Sequence, residues 1–338
     1  MTEGILSFGF SLIISFSLTP VARYLALKFG IVDQPGERKI HRDPVPLLGG
    51  LAICLASLVS IVCFSESSSD WEVPVIVLGA TVLMLVGFLD DREIVHHQFK
   101  LIVVMPLAAS MAMMSGVGAD SLFPFPFSLG MDFLWIVGIT ASFSILDHMD
   151  GLCSGIAAVA LALIVVFLIM NHQMSLVVLT TAILGASLGF LYWNFNPAKI
   201  FMGDGGAMFL GFMLATLSLE LNSPTLPAIN NWIIRILILG IPIFDTTLVT
   251  ISRIRQGLVP FSSPGKDHTA HRLCALGMRQ RTAMLVLCSV GLLLGLLALI
   301  VVRIDVWQLG ILGAGLVVGV ILAIITLEKT PYERQKLN

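Results

Sequence analysis

Apolar runs of about 17–25 residues recur along the whole chain, separated by short segments rich in Gly, Pro, Asp, Arg and His. A helix that crosses roughly 30 Å of hydrocarbon needs runs of this length. The pattern predicts eleven spans, near residues 5–28, 47–64, 73–89, 99–115, 133–146, 153–170, 175–193, 205–221, 232–251, 282–302 and 307–327. The fifth is the shortest. The first runs on into further spans without a small-residue cleavage site, so it reads as an anchor and not as a removed signal peptide. Composition agrees: 57% of residues are hydrophobic, 12% are charged and the mean hydropathy is +0.97, against about 25% charged in soluble domains. The expected fold is all-α, a single polytopic membrane domain over residues 1–338, with no soluble domain, low-complexity segment or internal repeat.

Charge then orients it. With eleven spans the termini face opposite sides, and the side of the C-terminus collects 17 of the 19 Lys and Arg residues. Only Arg235 and Arg303 fall opposite, and the opposite loops near 65–72, 116–132, 170–174 and 222–231 carry acids but no Lys or Arg. The basic side is the cytoplasmic one, so the N-terminus is expected outside and the C-terminus inside. Cys54, Cys63, Cys153, Cys274 and Cys288 lie in or beside spans with no paired spacing, which suits small apolar packing residues rather than disulfides or metal ligands.

That topology places six aspartates, Asp90, Asp91, Asp147, Asp150, Asp204 and Asp245, on the cytoplasmic side at the ends of apolar segments. A carboxylate beside hydrocarbon costs several kcal/mol unless it is paired, metal-bound or wet. Asp90-Asp91 ends the third span, and two acids at a helix C-terminus oppose the macrodipole. The pair therefore needs a cation, either Mg²⁺ or the Lys100 that opens the next span. Asp147 and Asp150 are three apart and share a face on a helical turn. Asp204, flanked by Gly203, Gly205 and Gly206, lets a carboxylate and backbone amides reach one ligand, and Mg²⁺ takes one or two carboxylates plus phosphate and water.

Arg38, Lys39, His41 and Arg42 form a basic cluster, readable either as a positive-inside anchor or as a phosphate-binding surface. Gly49-Gly50 behind it would allow close backbone approach. His268 and His271 have Zn-ligand spacing, but no Cys or further His completes a tetrahedral set. Beside Arg253, Arg255 and Arg272 they read as donors to a diphosphate.

The segments GERKIHRDPVPLLGG, GFLDD, LDHMDGL, NFNPAKIFMGDGG, PIFDTTLVTISRIRQG and DHTAHRL follow one another in this order on the eleven-span frame. Together they resemble the polyprenyl-phosphate N-acetylhexosamine-1-phosphate transferases, the family that includes the muramoyl-pentapeptide translocase. The likeness runs from about Gly30 to Leu273. It implies transfer of a sugar 1-phosphate from a UDP-N-acetylhexosamine to undecaprenyl phosphate or another polyprenyl phosphate, with release of UMP, as the first membrane step of surface glycan synthesis at the bacterial cytoplasmic membrane. It further implies Mg²⁺, with Mn²⁺ as a substitute, held by Asp204 and Asp90. Asp90, Asp91 and Asp204 correspond to catalytic carboxylates. Arg38, Lys39, Lys100, Asp147, Asp150, Asn194, Asn196, Arg253, His268, His271 and Arg272 are the expected substrate-binding set. A homodimer fits this reading, and a nucleic-acid partner does not.

Three stretches depart from the family pattern. Relatives commonly read NAFN where this chain has Ala141-Ser-Phe-Ser144, His148 stands where Asn or Gly is usual, and Ala270 interrupts the histidine motif. Lost amides would alter sugar specificity or activity. The interrupted histidines favour a simple UDP-N-acetylhexosamine over a muramoyl-pentapeptide donor. The alternatives are a transporter, whose acids should cluster at mid-membrane on repeated halves, and a non-catalytic relative. A CDP-alcohol phosphotransferase is disfavoured because its signature does not continue after Asp150-Gly151.

Overall fold

A computed structural model describes residues 1–34, 44–65, 71–92, 94–95, 97–118, 124–223, 226–259 and 265–330. Its helices are α1 (Thr2–Phe29), α2 (Gly49–Phe64), α3 (Glu72–Asp91), α4 (His97–Phe99), α5 (Met105–Met114), α6 (Phe127–Leu146), α7 (Leu152–Met170), α8 (Met174–Asn194), α9 (Gly203–Leu219), α10 (Ala228–Ile238), α11 (Gly240–Arg255), α12 (Thr269–Ala275), α13 (Gln280–Val301) and α14 (Val306–Glu328). A π-helical turn, Lys100–Val104, joins α4 to α5. The described strands are β1 (Val32–Asp33) and β2 (Val45–Pro46), an antiparallel pair beneath α2.

Seven helices are long and apolar enough to cross a membrane, or eight if α10 and α11 form one broken span. Three shorter apolar helices, Gly49–Phe64, Lys100–Met114 and Gly203–Leu219, bring the apolar segments to eleven (8 + 3). The chain is thus an all-α polytopic membrane protein.

The bundle is organised around α9. Every residue of that helix except Asp204 is buried, with α2, α3, α6, α7 and α8 packed on it. The outer helices keep apolar side chains facing outward. In α14 only 6% of the apolar window is buried, and Ile311, Val317 and Leu322 are exposed as lipid-facing side chains should be. By contrast, α1 packs on α8 through a stripe of small residues at helical spacing: Gly4, Ser7, Ser11, Ser15, Thr19, Ala22 and Ala26. Hydrocarbon provides no hydrophobic drive between helices, so close approach and hydrogen bonds hold them. Ser15 Oγ donates to the Ala186 carbonyl at 2.7 Å and Ser7 Oγ to the Val178 carbonyl at 3.1 Å.

Two expectations change. The fifth span, α6, starts at Phe127 and not near residue 133, because Asp132 does not bound it but is buried within it at 1% exposure. The ninth span is not straight: α10 and α11 meet at 75°. Gly240 and Pro242 lie in the first turn of α11, where a missing N–H costs least. Arg235, near the outer end of that span, is a fully buried residue of α10. It donates to the Leu219 carbonyl at 2.8 Å and to Asn222, and lies 5.0 Å from the Trp232 ring.

Candidate functional site

The site begins with how closely glycine lets helices meet. The α2 N-terminus has no side-chain cap. Instead, Gly49 and Gly50 donate their N–H groups to the Phe201 and Met202 carbonyls at 3.0 and 2.8 Å, at the entry to α9. A Cβ on Gly50 would lie 2.4 Å from Gly206 Cα, and one on Gly87 of α3 would lie 2.5 Å from Gly205 Cα. Only glycine permits such contacts. They press the ends of α2 and α3 against the first turn of α9.

That packing puts Asp90 and Asp91, from the C-terminus of α3, beside Asp204 at the N-terminus of α9. Asp91 Oδ1 accepts the Asp204 N–H at 3.1 Å. The acid that the α3 dipole disfavours therefore sits on the positive end of another helix. Gly203, at φ 75°, carries the chain past Asp91: a Cβ there would be 2.6 Å from Asp91 Oδ2. Lys100 lies between Asp90 and Asp204, with Nζ 2.6 Å from Asp90 Oδ2 and ion-paired to Asp204 Oδ2. Ser144 of α6 donates its hydroxyl to Asp204 Oδ1. Three carboxylates around one ammonium leave two formal negative charges (−3 + 1) in an all-oxygen donor set, which fits a hard divalent cation such as Mg²⁺. A cleft of about 120 Å³ between α2, α3 and α9, lined by Leu47, Leu51, Met84, Phe88 and Met202, ends at Asp91.

Asp147 caps the C-terminus of α6. Burial, then the charges of Asp91 and Asp150, pushes its carboxyl up to about 7. Asp150 accepts from Asn196 Nδ2 and the Ala198 N–H, both at 2.9 Å, tying the α6–α7 loop to the α8–α9 loop. Asn196 Nδ2 also donates to Gln280 Oε1 at 3.0 Å. Asn194 turns inward at 2% exposure. Its Oδ1 accepts from the Gly151 N–H and Ser154 Oγ, each at 3.0 Å, and its Nδ2 donates to the Ile200 carbonyl at 3.0 Å. Its amide holds the loops together and does not face the acid cluster.

Histidines from separate segments form the adjoining wall. Asp245 of α11 accepts the Thr269 N–H at 2.7 Å, capping α12, and its Oδ2 lies 2.8 Å from His268 Nδ1. His148 stacks on His268 with ring centroids 4.0 Å apart and lies 4.7 Å from His271. Burial, then His268, holds His148 well below the usual imidazole range. The same two causes bring His271 down to about 4, so both rings are neutral at pH 7.

Arg253 and Arg272 are not placed with those histidines as open diphosphate donors. Arg253 makes a bidentate pair with Asp267 at 2.7 and 3.0 Å. Burial of Asp267 works against its charge, but the Arg253 guanidinium holds the carboxyl below its usual range. Arg272, fully buried, donates to the Asp267 carbonyl at 2.7 Å, Ser252 Oγ at 2.9 Å and the Leu327 carbonyl at 2.8 Å, and pairs with Glu328. Arg253 ties α11 to the loop that follows it, and Arg272 braces that loop against α14. Arg38 and Lys39 lie outside the described residues.

Ser144 and Gln280 belong to the network without having been expected there. Ser144 carried a signal, since it sits three residues before Asp147 on one helical face.

Residues 73–222 match the family model described as glycosyl transferase family 4. The chain is 35% identical over 319 residues to a probable undecaprenyl-phosphate N-acetylglucosaminyl 1-phosphate transferase of Bacillus subtilis, covering 91% of this chain and 87% of that protein. It is 30% identical to the decaprenyl-phosphate N-acetylglucosaminephosphotransferase of Mycolicibacterium smegmatis, over 81% of this chain and 76% of the relative. It is also 30% identical to the undecaprenyl-phosphate alpha-N-acetylglucosaminyl 1-phosphate transferase of Escherichia coli K12, over 81% and 77%. On this likeness along most of its length, the chain belongs to the polyprenyl-phosphate N-acetylhexosamine-1-phosphate transferases of glycosyl transferase family 4.

Proposed function

We propose that this protein transfers N-acetylglucosamine 1-phosphate from its UDP-sugar to a membrane polyprenyl phosphate, releasing UMP and leaving a polyprenyl-diphospho-sugar. The observation that carries the reading is the meeting of Asp90, Asp91 and Asp204 around Lys100 at one end of a membrane bundle. One substrate is a lipid and the other is water-soluble, so the reaction belongs at such an interface. The excess of Lys and Arg in the loops at this end supports a cytoplasmic site, in a bacterial inner membrane with the N-terminus outside.

A lipid phosphate oxygen attacks the sugar-bearing phosphorus, and the bond from that phosphorus to the bridging oxygen breaks, so the electron pair leaves with UMP. Mg²⁺, held by Asp204 and Asp90 and replaceable by Mn²⁺, would withdraw charge from the diphosphate. The other roles fall to the chain. Lys100 neutralises phosphate oxygens, and Ser144 fixes the Asp204 carboxylate. Asp91 positions the acceptor at the end of the apolar cleft. A phosphate monoester has its second pKa near 6, so the acceptor is already mostly dianionic, and Asp90 and Asp91 act by placing charge more than by removing a proton. Asp147, Asp150, His268 and His271 form the donor side.

The test is purified protein with Mg²⁺, undecaprenyl phosphate and separate UDP-sugars, following UMP. Release that requires the lipid and is fastest with UDP-N-acetylglucosamine is expected. No release with any UDP-N-acetylhexosamine would overturn the reading. Ser144→Ala removes a hydrogen bond to a charged acceptor, an interaction of about 1.5–3 kcal/mol. Turnover should fall roughly tenfold or more and the Mg²⁺ requirement should rise, seen by titrating Mg²⁺ against initial rate.

A further inference from the structure

His268 and His271 read from the sequence as an incomplete metal site, but the fold brings a further histidine from more than a hundred residues away. His148, on the α6–α7 loop, stacks on His268, and Asp245 of α11 reaches the same point. Ligand atoms of His148, Asp245 and His268 all lie within 4.8 Å of one another. His148 Nδ1 is 3.2 Å from the Ile145 carbonyl. Against a carbonyl a ring nitrogen can only donate, so Nδ1 carries the proton and Nε2 presents its lone pair. That Nε2 is buried and has no hydrogen-bond partner among the described residues. An imidazole oriented by its other nitrogen on a backbone carbonyl, as His148 is, has the outer-shell pattern of a metal-binding histidine, and His268 Nδ1 and Asp245 Oδ2 lie side by side at 2.8 Å.

We propose that His148, His268 and Asp245 form a site for a divalent transition metal of the Zn²⁺ class, separate from the aspartate cluster. The donor set decides the class: two imidazoles and one carboxylate favour Zn²⁺ or Co²⁺ over Mg²⁺, whereas Asp90, Asp91 and Asp204 offer only oxygen. For bonds of about 2.0–2.1 Å to Zn²⁺ the His148 ring must turn out of its stack on His268, and His268 Nδ1 and Asp245 Oδ2 must exchange their hydrogen bond for the ion, with release of its proton. His271, its ring centroid 4.7 Å from that of His148, is a further donor, with water as the alternative. An ion here ties the α6–α7 loop to α11 and to the start of α12, three segments with no sequence continuity.

The test needs neither sugar nor lipid substrate, so its outcome is independent of the transferase reading. The full chain in detergent, with excess Mg²⁺ to fill the all-oxygen site, is titrated with Co²⁺ alone while the visible d–d absorption is followed. One equivalent with intense tetrahedral bands is expected, weakened at least about tenfold in His148→Asn and retained in Asp204→Asn. His148→Cys should recover binding and add a thiolate-to-cobalt charge-transfer band, which separates loss of a ligand from loss of fold. Absence of bands in the wild type, bands unchanged in His148→Asn, or bands lost in Asp204→Asn would each overturn the site.

Discussion

Asp204→Asn should lower UMP release by at least about 10³-fold while leaving the melting temperature close to wild type. Asparagine keeps an oxygen that can accept from Ser144, but it loses the charge that faces Lys100 and the proposed Mg²⁺. Removing one preorganised stabiliser of transition-state charge costs about 10²–10³ in turnover, and here the same change also weakens the cation that would carry most of that charge. Stability should survive for an electrostatic reason. Three acids share one lysine, so neutralising Asp204 relieves repulsion, and Lys100 keeps its partner Asp90 at 2.6 Å. Initial rates at saturating Mg²⁺ together with a thermal melt in the same detergent decide the matter. Activity within tenfold of wild type would remove Asp204 from the centre of the mechanism.

Gly87→Ala should be nearly as damaging, although residue 87 carries no chemistry. Its added Cβ would lie 2.5 Å from Gly205 Cα, 2.6 Å from Gly205 N and 2.9 Å from the Asp204 carbonyl carbon. All three are backbone atoms, so no side chain can turn aside and the two helices must part. Overpacking of this kind costs about 1–3 kcal/mol, and the parting carries Asp204 away from Asp91. A misplacement of about 1 Å at reacting groups can cost around 10²-fold. Gly9→Ala in α1 is the control, because a Cβ there meets nothing within 4 Å. Paired measurements of rate and melting temperature should show loss of both in Gly87→Ala and of neither in Gly9→Ala. A wild-type rate in Gly87→Ala would mean that the α3–α9 approach does not hold the site in register.

Much of this was legible in the residues because the membrane simplifies the code. Hydrocarbon tolerates neither open backbone nor unpaired charge, so the apolar segments, the polar loops between them and the need of Asp90-Asp91 for a cation could all be read locally. Gly49-Gly50 announced a close approach, and Lys100 stood near enough in sequence to be matched with Asp90. The bend between α10 and α11 was harder, since an apolar run looks alike whether straight or broken. The partners of Arg253, Arg272 and Asn194 were not legible for another reason: a polar side chain has the same composition whether it faces a substrate or a neighbouring loop. Only burial and partners separate the two, and Asp267, Glu328, Ser154 and Ile200 take these three.

Helicity, membrane embedding, the charged loops and the acids that need partners are all written in the residues. These follow from hydrophobic period, length and the cost of charge beside lipid, all local quantities. The tertiary structure alone decided which of those groups meet. Ser144 reaches Asp204 across 60 residues of sequence, Asp91 reaches the Asp204 amide across 113, and His148 lies against His268 and Asp245. Helical periodicity orients a side chain on its own helix but says nothing of the helix opposite. That choice rests on backbones touching at Gly50, Gly87, Gly205 and Gly206, where the absence of a side chain lets two helix ends close on one point.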